Sequence, residues 1–364
     1  MKILHILYSG LGGHGNVFFS MVEADTKKNY EFEALFTGVE PVRKEYVERC
    51  NANAVSYTYI KKIPGQKHLH FFYLVFKAVL KSNADIIFIH GSLLLLPAWL
   101  AVKMGFKNRK IIVRETQAIH LKTSREKNAL KVSMKLADKI VFLSGEYRNQ
   151  IQINFGSNFK ILKTHVIPNG IDLNLFSPNN SCTTNSTIKI GMQSRIVAIK
   201  DHKTLLAAFK IVTEKHPEKL IELIIAGDGE MLPELKKMAR DLNISEQTIF
   251  TGLLAEKDLP DFLNDLSIYI HASFGETMST AIMQAMACGK AIIASDVDGI
   301  NNMISDGEDG LLVVVKNEQL LAEKILLLIS NTELRKKLEH NAFMKAKQAF
   351  SNARMFDSYK KIFS

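Results

Sequence analysis

Apolar and polar positions change rhythm repeatedly along this chain. Short runs such as KILHILY, FEALFTG, DIIFIH, KIIVRE and DKIVFLS have the character of strands buried on both faces of a parallel sheet. Longer stretches between them, including HFFYLVFKAVLKS and NALKVSMKLA, place apolar residues three and four apart, the spacing of a helix with a buried face. This order of strand, helix and strand predicts right-handed βαβ units wound into a parallel α/β sheet. The longest apolar tract, Ile86 to Gly105, is long enough to span a bilayer. His90, Gly91, Pro97 and Lys103 interrupt it, so a buried strand followed by a helix is the expectation.

The rhythm breaks once, at HVIPNGIDLNLFSPNNSCTTNST. That segment holds the turn signal Pro168-Asn169-Gly170 and a polar stretch from Ser177 to Thr187. Beyond it the alternation resumes with TIKIGMQS, LIELIIAG, TIFTG, SIYIHAS, AIIAS and GLLVVV. Two α/β units of similar size are expected, a division that 364 residues also favour. The opening MKILHILYSG meets glycines too soon for a secretory signal and reads as the first strand.

Composition adds less. A chain 47% hydrophobic and 23% charged is that of a soluble globular protein, not a disordered one. Cys50, Cys182 and Cys288 lie too far apart for a CxxC metal or redox pair and suit a reducing cytoplasm. The net charge of +10 is uneven: residues 1–175 hold 25 Lys+Arg against 13 Asp+Glu, and residues 176–364 hold 22 against 24. A basic first half points to nucleic acid, to an anionic membrane surface or phosphorylated lipid, or to a solvated surface kept for solubility.

Three motifs carry candidate chemistry. SGLGGHGN, Ser9 to Asn16, contains Gly10, Gly12 and Gly15 in G-x-G-x-x-G order directly after the first strand. Such a turn frees amides for an anion at a helix start. A nicotinamide or flavin site would also want an acid at the end of the second strand, and Glu40 comes late for that. In MQSRIVAIKDH, Arg195 and Lys200 sit five apart at a strand-to-helix turn. They suit a diphosphate clamp or a solvated basic turn equally. In SFGETMSTAIMQAMACG, Glu276 precedes a helix that Ser279 or Thr280 would cap, and Gln284 lies about one turn inside it. This is a sugar-nucleotide site with one member altered, a dead site, or a buried helix.

In combination these segments resemble the retaining, GT-B-fold glycosyltransferases of the large family 4 group. The likeness rests on IPNGID (Ile167–Asp172), SRIVAIKD (Ser194–Asp201), IIAGDGE (Ile224–Glu230), the FGE…QAMACGKAIIASD run (Phe274–Asp296) and DGEDGLLV (Asp306–Val313), and covers most of residues 165–315. It implies an α/β GT-B fold of two Rossmann-like, doubly wound domains facing across a cleft. An acceptor-side domain would occupy residues 1–170 and a nucleotide-sugar-binding domain residues 171–345. A terminal helix, 346–364, would pack back on the first domain through Met355, Phe356, Tyr359, Ile362 and Phe363.

The implied activity is retaining transfer of a sugar from a nucleotide-sugar donor of UDP type, with no cofactor. The acceptor would be lipid-linked or a polysaccharide intermediate of bacterial surface-glycan assembly. The chain would then work in the cytoplasm, peripheral on the inner face of the membrane. Its basic half would meet anionic lipid and not nucleic acid. By the same resemblance Arg195 and Lys200 bind the donor diphosphate, and Glu276 meets the donor sugar. The segment Thr277, Met278, Ser279 and Thr280 supplies phosphate-binding amides.

The family's second glutamate, which accepts from the ribose, falls on Gln284. An amide keeps one acceptor and adds a donor, a loss of about 1–3 kcal/mol in donor binding. On the acceptor side the resemblance points to Gly12, Gly13 and His14, and to Glu115 or His120 after the strand KIIVRE. Asp296-Val297-Asp298 looks like a metal triplet but falls where the family needs no divalent ion. Two alternatives stay open: a GT-B nucleotide-sugar epimerase, and a non-catalytic GT-B partner subunit.

Overall fold

The computed structural model describes residues 1–10, 13–65, 68–105, 107–156, 159–179 and 187–364, with the backbone alone at His120. Gly12, Cys182 and most of the polar linker therefore lie outside the described residues. The chain divides into two compact units, Met1–Gly170 with Asn352–Ser364, and Ile171–Ser351.

In the first unit the strands are β1 (Lys2–Tyr8), β2 (Glu31–Gly38), β3 (Ser56–Lys61), β4 (Ile86–His90), β5 (Lys110–Arg114), β6 (Lys139–Phe142) and β7 (Thr164–Val166). They form one parallel sheet in the order β3-β2-β1-β4-β5-β6-β7. Alternate residues of each strand feed opposite faces. Leu4, Ile6, Ile87, Ile89 and Val113 pack under α3 (His68–Lys81), α4 (Leu95–Met104), α5 (Ser124–Leu136) and α6 (Gly145–Phe155). Ile3, Leu7, Phe88, Ile112 and Val141 pack against α1 (Gly13–Ala24) and α2 (Lys44–Ala52). The tract Ile86–Gly105 becomes β4 and α4, and among the described residues no helix is long and apolar enough to cross a membrane. A reciprocal cap starts α5: Glu126 N donates to Thr123 Oγ1 at 3.3 Å and Thr123 N donates to Glu126 Oε2 at 2.8 Å.

The second unit repeats the plan. Its strands β8 (Ile188–Gln193), β9 (Ile221–Ala226), β10 (Thr248–Gly252), β11 (Ile268–His271), β12 (Ala291–Ser295) and β13 (Leu311–Val313) run parallel in the order β10-β9-β8-β11-β12-β13. Its helices include α7 (His202–Lys215), α8 (Leu232–Asp241), α9 (Leu259–Asp265), α10 (Thr280–Ala287), α11 (Glu318–Ser330) and α12 (Thr332–Ala349). The final helix, α13 (Asn352–Phe363), belongs to the first unit, where Met355, Phe356, Tyr359, Ile362 and Phe363 join the α1 face of the core.

In each unit the strand order reverses beside the first strand, between β1 and β4 and between β8 and β11. Ligands of doubly wound sheets bind outside the carboxyl ends of the strands at such a switch point.

Candidate active site

In the second unit the switch point gathers charge. Lys200 lies in the turn from β8 to α7, whose first turn Asp201 caps by accepting from Thr204 N at 3.4 Å. Glu276 lies between β11 and α10, and Ser279 caps α10 by accepting from Ile282 N at 3.3 Å. The Lys200 ammonium donates to Glu276 Oε1 in a largely buried ion pair. His271, the last residue of β11, sets its Nε2 3.0 Å from the same oxygen, 3.2 Å from Ser279 Oγ and 3.5 Å from Lys200 Nζ. Its Nδ1 is 3.3 Å from the Tyr269 hydroxyl. Two bare acceptors 3.0 Å apart would repel, so we assign the imidazole proton to Nε2, donating to Glu276.

Burial holds His271 well below its ordinary pKa, with Lys200 and His202 adding to the effect, so the ring is neutral. Burial and then the Arg195 guanidinium pull the Lys200 ammonium down to about 7, while the Glu276 carboxylate favours its charged form. A diphosphate arriving there would fix the positive charge on Lys200. Arg195 is exposed and its side chain makes no hydrogen bond or ion pair among the described residues, which leaves its fork open to a ligand. Thr280 and Ala281 open α10 with amides that have no partner inside the helix. Thr277 is buried beside them, and Met278 packs on the α10 core.

Three glycines shape this mouth. Gly227 and Gly229 (φ +146° and +157°) bring the β9–α8 turn onto the Ser194 and Ile196 carbonyls, where a Cβ would collide with backbone. Gly299 (φ +84°) lies equally close to the Glu276–Thr277 backbone. Asp296 accepts from Asn301 Nδ2 at 3.1 Å, and the Asp298 carbonyl accepts from Glu276 N at 3.3 Å, so the triplet buttresses the same loop.

Gln284 is 3% exposed, and its Oε1 accepts from Gln193 Nε2 at 3.0 Å. One lone pair of that carbonyl is therefore already in use. Gln193 Oε1 is buried and has no hydrogen-bond partner among the described residues. Sequence reasoning missed Gln193, Tyr269 and His271. The available signal was polar residues at the ends of apolar strands, as in SIYIHAS.

In the first unit the switch point holds a cavity of about 340 Å³, lined by His14, His68, Phe71, Phe72, His90, Ser92 and Glu115, among others. His14 Nε2 lies 3.1 Å from Thr116 Oγ1, and His5 Nδ1 lies 3.1 Å from His90 Nε2. Burial, aided by the Arg114 guanidinium, lowers His5 and His14 to about 3 and His90 well below its usual value. Glu115 is engaged at both oxygens: Oε1 accepts from Lys122 Nζ at 2.6 Å and Thr116 N at 3.0 Å, and Oε2 from Ser92 Oγ at 2.9 Å. Gly13 begins α1, and the backbone of His120 lies in a short 3-10 turn, Ile119–Leu121. Gly10 meets Glu40: a Cβ at residue 10 would collide with that carboxylate.

Comparison with known proteins agrees with this architecture. Residues 11–175 match the model of Glycosyltransferase Family 4, and residues 182–345 match that of Glycosyl transferases group 1. An uncharacterized glycosyltransferase of Methanocaldococcus jannaschii is 27% identical over 97% of this chain and 94% of its own length. The N,N'-diacetylbacillosaminyl-diphospho-undecaprenol alpha-1,3-N-acetylgalactosaminyltransferase of Campylobacter jejuni is 38% identical, over 27% of this chain and 26% of that protein. Among solved structures, Anabaena HepE in complex with UDP and glucose superimposes with a TM-score of 0.83 at 19% identity, covering 100% of this chain and 99% of that one. The chain is a glycosyltransferase of the GT-B family.

Proposed function

We propose that this glycosyltransferase moves a sugar, with retention, from a UDP-type nucleotide-sugar to a lipid-linked or polysaccharide acceptor of surface-glycan assembly, at the cytoplasmic membrane face. The observation that carries the donor half is the convergence of Lys200, Glu276, His271 and Ser279 at the start of α10. Arg195, Lys200 and the α10 amides would meet the diphosphate, and Glu276, steadied by His271, would meet the sugar hydroxyls. UDP in the HepE complex supports the choice of nucleotide. Gln193 Oε1, buried and unpartnered, would supply beside Gln284 the acceptor that a carboxylate at 284 would give the ribose.

Glu276 is held by a cation and an imidazole, so it is poorly placed to act as a free nucleophile. We therefore read the transfer as a front-face displacement. The bond from the anomeric carbon to the diphosphate oxygen breaks, and its electron pair stays on the phosphate. The acceptor hydroxyl oxygen bonds to the same face, and its proton passes to the departing phosphate. Lys200, Arg195 and the helix amides answer the leaving charge electrostatically, which makes the step metal-independent in this reading.

The cavity in the first unit is the acceptor candidate, because its apolar and cationic lining (Phe71, Phe72, Lys62, Arg125) suits a phosphate-bearing lipid. The diphospho-undecaprenol acceptor named for the C. jejuni relative supports that class. Incubation with a panel of UDP-sugars, with and without lipid acceptor, tests the whole. Acceptor-dependent UDP release and an anomeric NMR signal that keeps the donor configuration are expected. Sugar rearrangement without acceptor would favour an epimerase, and no turnover at all a partner subunit.

A further inference from the structure

Helix α3 lines the cavity of the first unit, α4 follows the cavity-lining turn Ser92–Leu94, and both helices carry an outward apolar face. α3 buries Phe71, Val75 and Val79, yet leaves Leu69, Tyr73 and Leu80 exposed at 77%, 56% and 37%. α4 buries Leu95, Ala98 and Ala101 and leaves Leu96, Leu100 and Met104 exposed at 48%, 42% and 66%. The helices pack side by side on the same face of the sheet, so both rows point away from the core. Surface helices ordinarily carry polar residues on that side, and a contiguous apolar patch marks an interaction surface. The charges on the two helices are all of one sign: Lys77, Lys81 and Lys103 are exposed, and neither helix contains an Asp or Glu.

We propose that this α3–α4 face docks on an anionic lipid bilayer. Its leucines, tyrosine and methionine enter the headgroup boundary, and its lysines meet lipid phosphates. This names the surface behind the membrane part of the proposed function and rests on that part. Two observations favour a bilayer over a second copy of the chain. A two-fold contact would bring the lysines of both copies together without carboxylates from these helices to pair them. The face is also continuous with the cavity: His68, Phe71 and Phe72 of α3, and Ser92 and Leu93 just before α4, line its wall. A lipid-borne acceptor leaving the bilayer here would meet the cavity along α3 and the turn that leads into α4.

The test uses the full chain at low salt with phosphatidylcholine vesicles, with and without phosphatidylglycerol. Wild type is expected to bind only the anionic vesicles. Leu96→Ser with Leu100→Ser should lower partitioning at least about tenfold, and Lys77→Gln or Lys103→Gln about fivefold each. UDP binding in the absence of vesicles, and the thermal midpoint, should stay at wild-type values. No binding, equal binding to neutral vesicles, or unchanged binding by the double variant overturns the proposal. So does light scattering that shows the double variant breaking a dimer while vesicle binding persists. Retained vesicle binding without sugar transfer strikes the transferase reading and leaves the docking face standing. Retained transfer without vesicle binding strikes the docking face alone.

Discussion

Each unit ends the strand beside its switch point on a buried histidine, His90 on β4 and His271 on β11, yet the two imidazoles keep different company. His271 faces a carboxylate, an ammonium and a hydroxyl within 3.5 Å. His90 sits against the rings of His5, His14 and Phe88. Both rings are held neutral by burial. In the second unit that neutral ring orients charged partners at the mouth of a helix. In the first it helps floor a cavity whose nearby acid, Glu115, is already tied to Lys122 and Ser92. One topology thus builds a charge-handling site in one unit and a mostly apolar container in the other.

The contrast can be broken in order of effect. Lys200→Met removes the cation that the proposed transfer sets nearest the leaving charge and should lower kcat by about 10²–10³-fold, measured as UDP release. His271→Leu should cost about 10–10²-fold by letting Glu276 drift. As a positioning residue, His271 should affect kcat more than donor affinity. His271→Gln, which can offer an amide N–H toward Glu276, should recover most of the loss, whereas a purely packing role would favour the leucine variant.

The first unit should instead show itself in stability. The folded pKa values of its buried histidines lie below the unfolded value of 6.5. Their neutral-state stabilisation is therefore complete above pH 6.5 and is lost as pH falls toward the folded values. His5→Phe, among Phe18 and Phe88, should flatten that decline by about 2 kcal/mol between pH 6.5 and about pH 5. Urea unfolding at the two pH values measures it, and an unchanged slope would place the pH sensitivity elsewhere. The smallest change is Gln284→Glu. It keeps an acceptor for Gln193 and should tighten UDP-sugar binding about fivefold, read by calorimetry.

The fold was legible because strands buried on both faces read as unbroken apolar runs, and DIIFIH and SIYIHAS both emerge as central strands. The candidate donor residues stood out for a similar reason: Arg195, Lys200, Glu276 and Gln284 occur at strand ends and helix starts in a fixed order. The hub His271 did not stand out, since a lone histidine closing an apolar strand looks like core. The Gln193–Gln284 bond joins residues 91 apart in sequence, beyond the reach of local spacing. Glu115 was placed by its strand end, but its capture by Lys122 depends on a turn that spacing does not describe. The α3–α4 face was hidden because HFFYLVFKAVLKS is apolar nearly all round, so an outward row cannot be told from a core row.

The most direct measurement is a calorimetric titration of UDP into wild type and Lys200→Met. The account predicts saturable binding to wild type, weakened at least about tenfold in the variant by loss of a charge-assisted contact. Equal affinity in the two proteins would contradict it, because the diphosphate would then be held somewhere other than the Lys200–Glu276 cluster.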